Sequence, residues 1–164
     1  MYHVYTDGST RNNGAADAIG AWAYAIYDND NQTILWHQSS ATQGTTNNRE
    51  ELKAMIAAIE QLLTVSGDFF EATIYSDSAY IINCANQKWY GKWMNNGWKT
   101  SKKEPVLNQE LWEELIPYFD DPRFTFQKVK GHANNVNNNF DFKGYQLLKL
   151  DKEGICESLL QALE

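Results

Sequence analysis

Residues 45–65 read TTNNREELKAMIAAIEQLLTV, and they mark the point at which the repeat of apolar side chains changes. Apolar residues recur there at the spacing of one helix face, at Leu52, Met55, Ile56, Ile59 and Leu63. A threonine or asparagine ahead of them can cap a helix. The sequence therefore predicts an amphipathic helix that begins near Thr46.

The segments that precede this helix have the composition of β-strands. They are rich in β-branched and aromatic side chains, and polar turns separate them. The predicted strands cover residues 2–6 (YHVYT), 20–28 (GAWAYAIYD) and 33–40 (TILWHQSS). Because the turns between them are short, we expect an antiparallel meander.

Strands and helices alternate after the helix. We expect a fourth strand over 69–76, a short helix over 78–86, a helix over 108–119 capped by Asn108, a fifth strand over 124–130, and a final helix from about 138 to 163. The order βββ-α-β-α-α-β-α predicts an α/β fold, with a mixed five-stranded sheet and helices on both faces. Residues 1–164 then form a single domain.

Composition excludes several classes of protein. The formal net charge of −7 argues against a protein that coats nucleic acid non-specifically, although a nucleic-acid enzyme remains possible. Cys84 and Cys156 form no CxxC pair, so neither a thiolate zinc site nor a disulfide framework is supported. No segment has the pattern of a signal peptide or a membrane span. We expect a cytoplasmic monomer with no obligate protein partner.

Four carboxylates occupy positions at which catalytic acids are found. Asp7 and Asp77 follow predicted strands directly, at the sheet edge where α/β folds bind ligands, and Asp141 lies near the start of the predicted last helix. On a helical wheel, Glu51 lies on the flank of the apolar stripe, whereas Glu50 lies almost opposite and is expected to face water. Each acid also has an ordinary structural explanation, as a turn residue or as a first-turn acid favoured by the helix dipole.

A cluster of carboxylates favours metal chemistry. The negative charges repel one another, so a fold tolerates them together only with a cation or a shared proton. Mg²⁺ prefers oxygen ligands, and two such ions can activate a water and stabilise the leaving oxygen of a phosphodiester. Neither GxSxG nor a P-loop motif occurs in the chain. These features together predict a magnesium-dependent nuclease.

A basic and aromatic segment interrupts the acidic chain. Residues 88–103, KWYGKWMNNGWKTSKK, contain five Lys, three Trp and one Tyr with no acid, so the remainder carries −7 − 5 = −12. Lysines attract phosphates, and flat rings stack on bases or pack against sugars. The alternative is a surface segment whose tryptophans pack on the sheet. We expect both: some tryptophans in the core, and solvated lysines that face the substrate.

Five motifs in order give the chain a family resemblance. They are YTDGS at 5–9, TNNREEL at 46–52, YSDSAY at 75–80, GWKTSKKEPVLNQELW at 97–112 and VKGHA at 129–133. Together they resemble type 1 ribonuclease H over nearly the whole chain. The resemblance implies the ribonuclease H fold, with sheet order 3-2-1-4-5 and strand 2 antiparallel.

The resemblance also implies roles for individual residues. Two Mg²⁺ ions, or Mn²⁺ in their place, would be bound by Asp7, Glu51, Asp77 and Asp141, and His132 would assist proton transfer or product release. Asparagines corresponding to Asn12, Asn47 and Asn48 contact RNA, and a threonine corresponding to Thr46 contacts a DNA phosphate. The basic segment corresponds to the family's substrate-binding handle, with Lys88, Trp89, Lys92, Trp93, Trp98, Lys99, Lys102 and Lys103.

The activity implied is endonucleolytic hydrolysis of the RNA strand of an RNA–DNA hybrid. Catalysis by two metal ions would use a water held near Asp77 and His132, and would leave 3′-hydroxyl and 5′-phosphate ends. Two alternatives remain: an exonuclease, resolvase or integrase that shares the fold, and a hybrid-binding module without activity. The complete TNNREEL motif and handle argue against the first, and the retained acids with His132 argue against the second.

Overall fold

The structure of the chain is a computed structural model that describes residues 1–11, 15–28 and 33–129. Asn12, His132, Asp141 and the predicted C-terminal helix lie outside the described residues. No helix in the described ranges is long and apolar enough to cross a membrane.

Five strands form one mixed sheet in the order β3-β2-β1-β4-β5. β1 pairs antiparallel with β2 and parallel with β4, β2 pairs antiparallel with β3, and β4 pairs parallel with β5. This arrangement confirms the predicted sheet order and the antiparallel second strand. The strands are β1 Tyr2–Arg11, β2 Ile19–Tyr27, β3 Ile34–Gln43, β4 Ala72–Ser76 and β5 Phe124–Lys128.

Four helices connect and flank these strands in the described part of the chain. They are α1 Asn47–Ser66, α2 Ala79–Gln87, α3 Tyr90–Asn95 and α4 Gln109–Phe119. The side chain of Thr46 caps α1 by accepting a hydrogen bond from the Arg49 N–H at 3.2 Å. Ser78 caps α2 in the same way.

The predicted cap of α4 is wrong in its mechanism. Asn108 lies at the N-cap position with φ 63°, but its side chain does not bond to the helix. The side-chain oxygen of Asn108 instead accepts a hydrogen bond from Arg49 at 3.1 Å. The Asn108 carbonyl accepts the first hydrogen bonds of α4, from the N–H groups of Leu111 and Trp112.

α3 was not predicted, because the basic segment was interpreted only by its charge and its aromatic rings.

β1 is longer than the sequence predicted. It continues through Asp7 to Arg11, paired with β2 as far as Ile19, so Asp7 lies inside the strand and not after it. The turn-like composition of DGST was misleading, because a backbone ladder to β2 satisfies these residues in extended conformation.

The main core lies between the sheet and the described helices. Val4, Ile26 and Ile74 of the sheet share a buried cluster with residues from all four helices, including Leu52, Met55, Ile59, Trp112 and Leu115. Side chains alternate across a strand, so the opposite face carries Tyr5, Ala23, Ala25, Tyr27, Tyr75 and Val129, which form a second buried cluster. The final helix predicted from about 138 to 163 lies outside the described residues.

The wheel prediction for Glu50 is wrong. Glu50 is fully buried, and its neighbour Glu51 is 7% exposed. Ala54 and Ala58 are also buried, whereas Ile56 is only partly buried. The buried arc of α1 therefore includes its alanines, which the count of large apolar residues had omitted.

Candidate active site

Asp7 and Asp77 lie side by side because of strand register. β1 and β4 run parallel with Tyr5 opposite Tyr75, so each aspartate stands two residues beyond a paired position. β4 ends at Ser76, while β1 continues. Asp77 therefore lies just past the end of β4, at the same height along the sheet as Asp7. The Asp7 Oδ1 accepts a hydrogen bond from the Gly8 N–H at 2.9 Å.

Glu51 reaches the same place because α1 lies directly on Gly8. A Cβ at Gly8 would stand 2.4 Å from the Glu51 nitrogen and 2.5 Å from the Glu50 carbonyl carbon. Only glycine allows the helix backbone this close to β1. The approach brings the first turn of α1 over the residue next to Asp7, and Glu51 joins the two aspartates.

The three acids form a compact group of oxygen ligands. One carboxylate oxygen from each of Asp7, Glu51 and Asp77 lies within 4.8 Å of the others. Asp7 is 4% and Glu51 is 7% exposed, so solvent does little to screen their mutual repulsion. A divalent cation would offset it, and an all-oxygen donor set suits Mg²⁺. The residues present fit a magnesium site, and Asp141, the predicted fourth ligand, lies outside the described part of the chain.

The predicted RNA-contacting residues at the start of α1 face solvent beside this cluster. Asn47 and Asn48 are exposed. Thr46 is partly buried and its hydroxyl caps α1, so it has a structural role whether or not it also contacts a phosphate. Asn12 lies outside the described residues.

The handle, residues 88–103, separates into a packed side and a charged side. Trp93 is 9% exposed, with its ring centroid 5.4 Å from that of Trp112 and 5.9 Å from that of Trp98. Little of the Trp93 ring is therefore available to a substrate, and its role is packing. Trp89 and Trp98 are partly exposed. Four lysines are exposed and belong to none of the ion pairs seen among the described residues: Lys92, Lys99, Lys102 and Lys103.

The first turn of the handle is attached to the end of α4. Lys88 Nζ lies 2.9 Å from Asp120 Oδ1, and the Tyr90 hydroxyl donates to the same oxygen at 3.0 Å. The Lys88 hydrogen bond, and then that of Tyr90, lower the pKa of Asp120. Burial and the Asp120 contact raise the pKa of Tyr90 to about 12. The fifth handle lysine, Lys88, is thus engaged within the protein.

Sequence reasoning missed a contact between α1 and the start of α4. Arg49, next to the predicted RNA-contacting Asn48, donates to Asn108 and pairs with Glu110 at the start of α4. This hydrogen bond lowers the pKa of Glu110. The sequence did hold one indication of this contact. The helix dipole disfavours a basic residue such as Arg49 in the first turn of a helix, so its presence there suggests an acidic partner.

The fold and the acidic cluster define the class of protein. The chain resembles the solved structure of LC9-RNase H1, which is described as a type 1 RNase H with the type 2 active-site motif. The two align at a TM-score of 0.70 and 23% identity, over 93% of this chain and 72% of that one. The PFV RNase H domain aligns at a TM-score of 0.69 and 20% identity over 93% and 94% of the two chains. LC11-RNase H1, solved in complex with an RNA/DNA hybrid, aligns at 0.59 and 22% over 90% and 98%. The fold is the ribonuclease H fold.

Sequence comparisons then identify the family. The RNase H family model matches residues 1–143. Ribonuclease H of Clostridium botulinum is 40% identical over 136 residues, which cover 83% of this chain and 87% of the relative. Ribonuclease H of Chlorobaculum parvum is 42% identical over 137 residues, with 83% and 86% covered. The chain therefore belongs to the RNase H family and is an enzyme of that family.

Proposed function

We propose that this enzyme cuts the RNA strand of RNA–DNA hybrids internally, by two-metal-ion catalysis, and leaves 3′-hydroxyl and 5′-phosphate ends. The observation that carries the proposal is the convergence of Asp7, Glu51 and Asp77 on one point, with ligand oxygens within 4.8 Å, in a chain of the RNase H family. These are the residues that would hold Mg²⁺. When bound, the metal would activate a water and stabilise the charge that develops on the leaving 3′ oxygen.

The protein's own groups would position the hybrid on either side of the acids. Asn47 and Asn48 are exposed at the start of α1 and would contact a strand that lies over Glu51. The exposed handle lysines would contact phosphates without reading bases, so binding would depend on salt and little on sequence. Selection of RNA would come from contacts with the 2′-hydroxyl, because this group distinguishes RNA from DNA. The hybrid bound to LC11-RNase H1 supports a substrate of this kind.

Two further residues complete the proposal from outside the described part of the chain. Asp141 would be the fourth metal ligand, and His132 would assist proton transfer or product release, as the family resemblance implies. Asp141→Asn should therefore lose RNA cleavage in magnesium, and His132→Ala should lower the turnover rate while leaving hybrid affinity unchanged. Full activity of Asp141→Asn would show that Asp141 is not a metal ligand.

A substrate comparison tests the proposal against enzymes that share the fold. A uniform RNA–DNA hybrid, a DNA duplex and a branched DNA junction are labelled on each strand in turn and incubated with the enzyme and Mg²⁺. We expect internal cuts in the RNA strand alone, and products that a polymerase extends without prior phosphatase treatment. Cleavage of the junction or of duplex DNA at a comparable rate would favour a resolvase or integrase. Binding of the hybrid without cleavage would favour a binding module.

A further inference from the structure

Glu50 belongs to a buried polar network that links α1 to the sheet. The residue is fully buried, and its Oε1 accepts hydrogen bonds from Thr45 Oγ1 at 2.7 Å and from Lys53 Nζ at 3.1 Å. Lys53 also donates to Thr42 Oγ1 at 3.0 Å, and Thr42 is part of β3. The network therefore joins the first turn of α1 to the preceding loop and to the outer strand of the meander.

The carbon atoms of Glu50 fill the space left by two glycines. A Cβ at Gly8 would lie 3.0 Å from the Glu50 Cβ, and a Cβ at Gly20 would lie 2.9 Å from its Cγ. Gly8 belongs to β1 and Gly20 to β2, opposite Thr10. The side chain thus lies between α1 and two strands, and its carboxylate continues to the loop before the helix.

This arrangement is a poor way to gain stability. Glu50 Oε2 is buried and has no hydrogen-bond partner among the described residues. Removing the Glu50 carboxylate and, in part, the Lys53 ammonium from water carries a penalty, since their side chains are 0% and 23% exposed. Apolar residues of similar volume often replace such a pair without loss of stability. A fixed geometry is what the pair supplies and apolar contacts do not, because hydrogen bonds are directional.

We propose that Glu50 is a positioning residue for the carboxylate cluster. Through Thr45, Lys53 and the glycine contacts, it fixes the first turn of α1 against the sheet and so holds Glu51 beside Asp7. The role rests on the proposed function of the cluster as a metal site. Glu50 itself neither binds the metal nor contacts the substrate.

The test replaces the charged pair by apolar residues of similar length. Glu50→Met combined with Lys53→Met should keep the urea midpoint at or above that of the wild type. Calorimetric titration with Mg²⁺ or Mn²⁺ alone should show affinity weakened by roughly 10-fold or more, as is typical when the groups that orient metal ligands are removed. The value of kcat on the hybrid should fall in parallel while KM is unchanged, because the handle is intact.

Two single variants separate positioning from a merely structural role. Glu50→Gln retains an oxygen that accepts from Thr45 and Lys53, so it should retain metal affinity to within about threefold. Glu60→Gln, an exposed glutamate on the same helix, is the matched control and should titrate like the wild type. Wild-type metal affinity in the folded double variant would overturn the proposal.

Three outcomes can be distinguished: unfolding of the double variant, failure of the proposed function, and failure of the role proposed for Glu50. If the double variant unfolds, Thr45→Val removes one donor with little change of volume, and unchanged metal affinity in this variant would overturn the proposal equally. If the wild type neither binds metal nor cleaves the hybrid, the proposed function fails. If the wild type does both and the folded double variant matches it, only the role of Glu50 fails.

Discussion

Asp7, Glu51 and Asp77 come from three different elements, and each reaches the cluster for its own local reason. The register between β1 and β4 places Asp7 beside Asp77, which follows the last residue of β4. Because Gly8 has no Cβ, α1 packs close enough to β1 for Glu51 to join them. Negative charges this close repel one another, so proximity alone does not stabilise the cluster. The surrounding strands and helix therefore hold the three acids together against their mutual repulsion. Removing one charge should both weaken metal binding and relieve this repulsion.

We expect Asp7→Asn to lose RNA cleavage while keeping or gaining stability. The amide preserves the size of the side chain and its acceptor for the Gly8 N–H, but it removes one of three close negative charges. The free energy of unfolding without metal should rise by up to about 1 kcal/mol, as measured by urea denaturation. Asp68→Asn, at an exposed position outside the cluster, is the control for a simple change of net charge. Full cleavage by Asp7→Asn would refute the site assignment.

The sequence predicted the cluster better than it predicted the neighbour of Glu51. The helical wheel selected Glu51, and the structure places Glu51 with the two aspartates. The same wheel placed Glu50 in water, and it is buried. A wheel treats a helix as lying on one flat surface, whereas the first turn of α1 is enclosed by β1, β2 and the loop at Thr45. Which side is enclosed depends on long-range packing that no local pattern contains.

The contact between α1 and β1 depends on a single glycine. We expect Gly8→Ala to destabilise the fold by about 1–3 kcal/mol and to weaken metal binding, because its Cβ would meet helix backbone at 2.4 Å. Chemical denaturation and metal titration measure the two effects. Gly91→Ala is the matched control: a Cβ there meets nothing within 4 Å, so stability should be unchanged or higher by up to about 1 kcal/mol. Equal stability of the two variants would contradict the packing described.

The exposed handle lysines should act through phosphates. Replacing Lys99, Lys102 and Lys103 together by glutamine should weaken hybrid binding and lower the slope of log affinity against log salt, by up to about 0.9 for each phosphate that is no longer neutralised. Stability should change little, because all three side chains are exposed. Fluorescence anisotropy over a range of salt concentrations measures the slope. An unchanged slope would place the handle away from the substrate path.

Elements with strong periodicity were predictable, and the irregular ones were not. The limits of α1 and α2 match the prediction to about a residue, because the caps and the apolar repeat agree. The conformation of the handle could not be predicted. Lys88, Trp98 and Lys103 all have positive φ, a conformation for which lysine and tryptophan give no sequence signal. Two of these residues are fixed by contacts with distant parts of the chain: Lys88 pairs with Asp120, and Trp98 packs on Trp93, which contacts Trp112 of α4.

The buried Cys84 thiol and Tyr90 hydroxyl make the stability of the whole molecule sensitive to alkali. Burial raises the pKa of Cys84 from 9.0 to about 12, and burial with the Asp120 contact raises that of Tyr90 from 10.0 to about 12. Because both groups hold their protons more tightly in the folded state, their contribution is complete below the unfolded pKa. It is lost as pH rises through the folded value.

The free energy of unfolding should therefore fall between about pH 9 and pH 12, with a slope of up to about 1.4 kcal/mol per pH unit from each group. Urea denaturation across this range measures the slope. Cys84→Ala and Tyr90→Phe should each flatten it. Parallel curves for the wild type and both variants would show that neither group titrates in this way.

The global topology was predictable because local patterns and family motifs agree. The meander, the long helix and the alternating second half give the element order, and the motifs supply the sheet order that periodicity alone leaves open. Neither source placed Asp7 within a continuous strand, since DGST has the composition of a turn. A strand that continues past its parallel neighbour is a property of the assembled sheet.

Glu51, with the two aspartates, should make cleavage of the RNA strand depend on magnesium. The most direct measurement is the initial rate of cleavage of an end-labelled RNA in a hybrid, titrated with Mg²⁺ after treatment with a chelator, for the wild type and Glu51→Gln. We predict that the wild-type rate rises from background to saturation, while the variant stays at background at every concentration. A wild-type rate that is independent of Mg²⁺, or a variant that reaches the wild-type plateau, would show that Glu51 does not hold a catalytic metal.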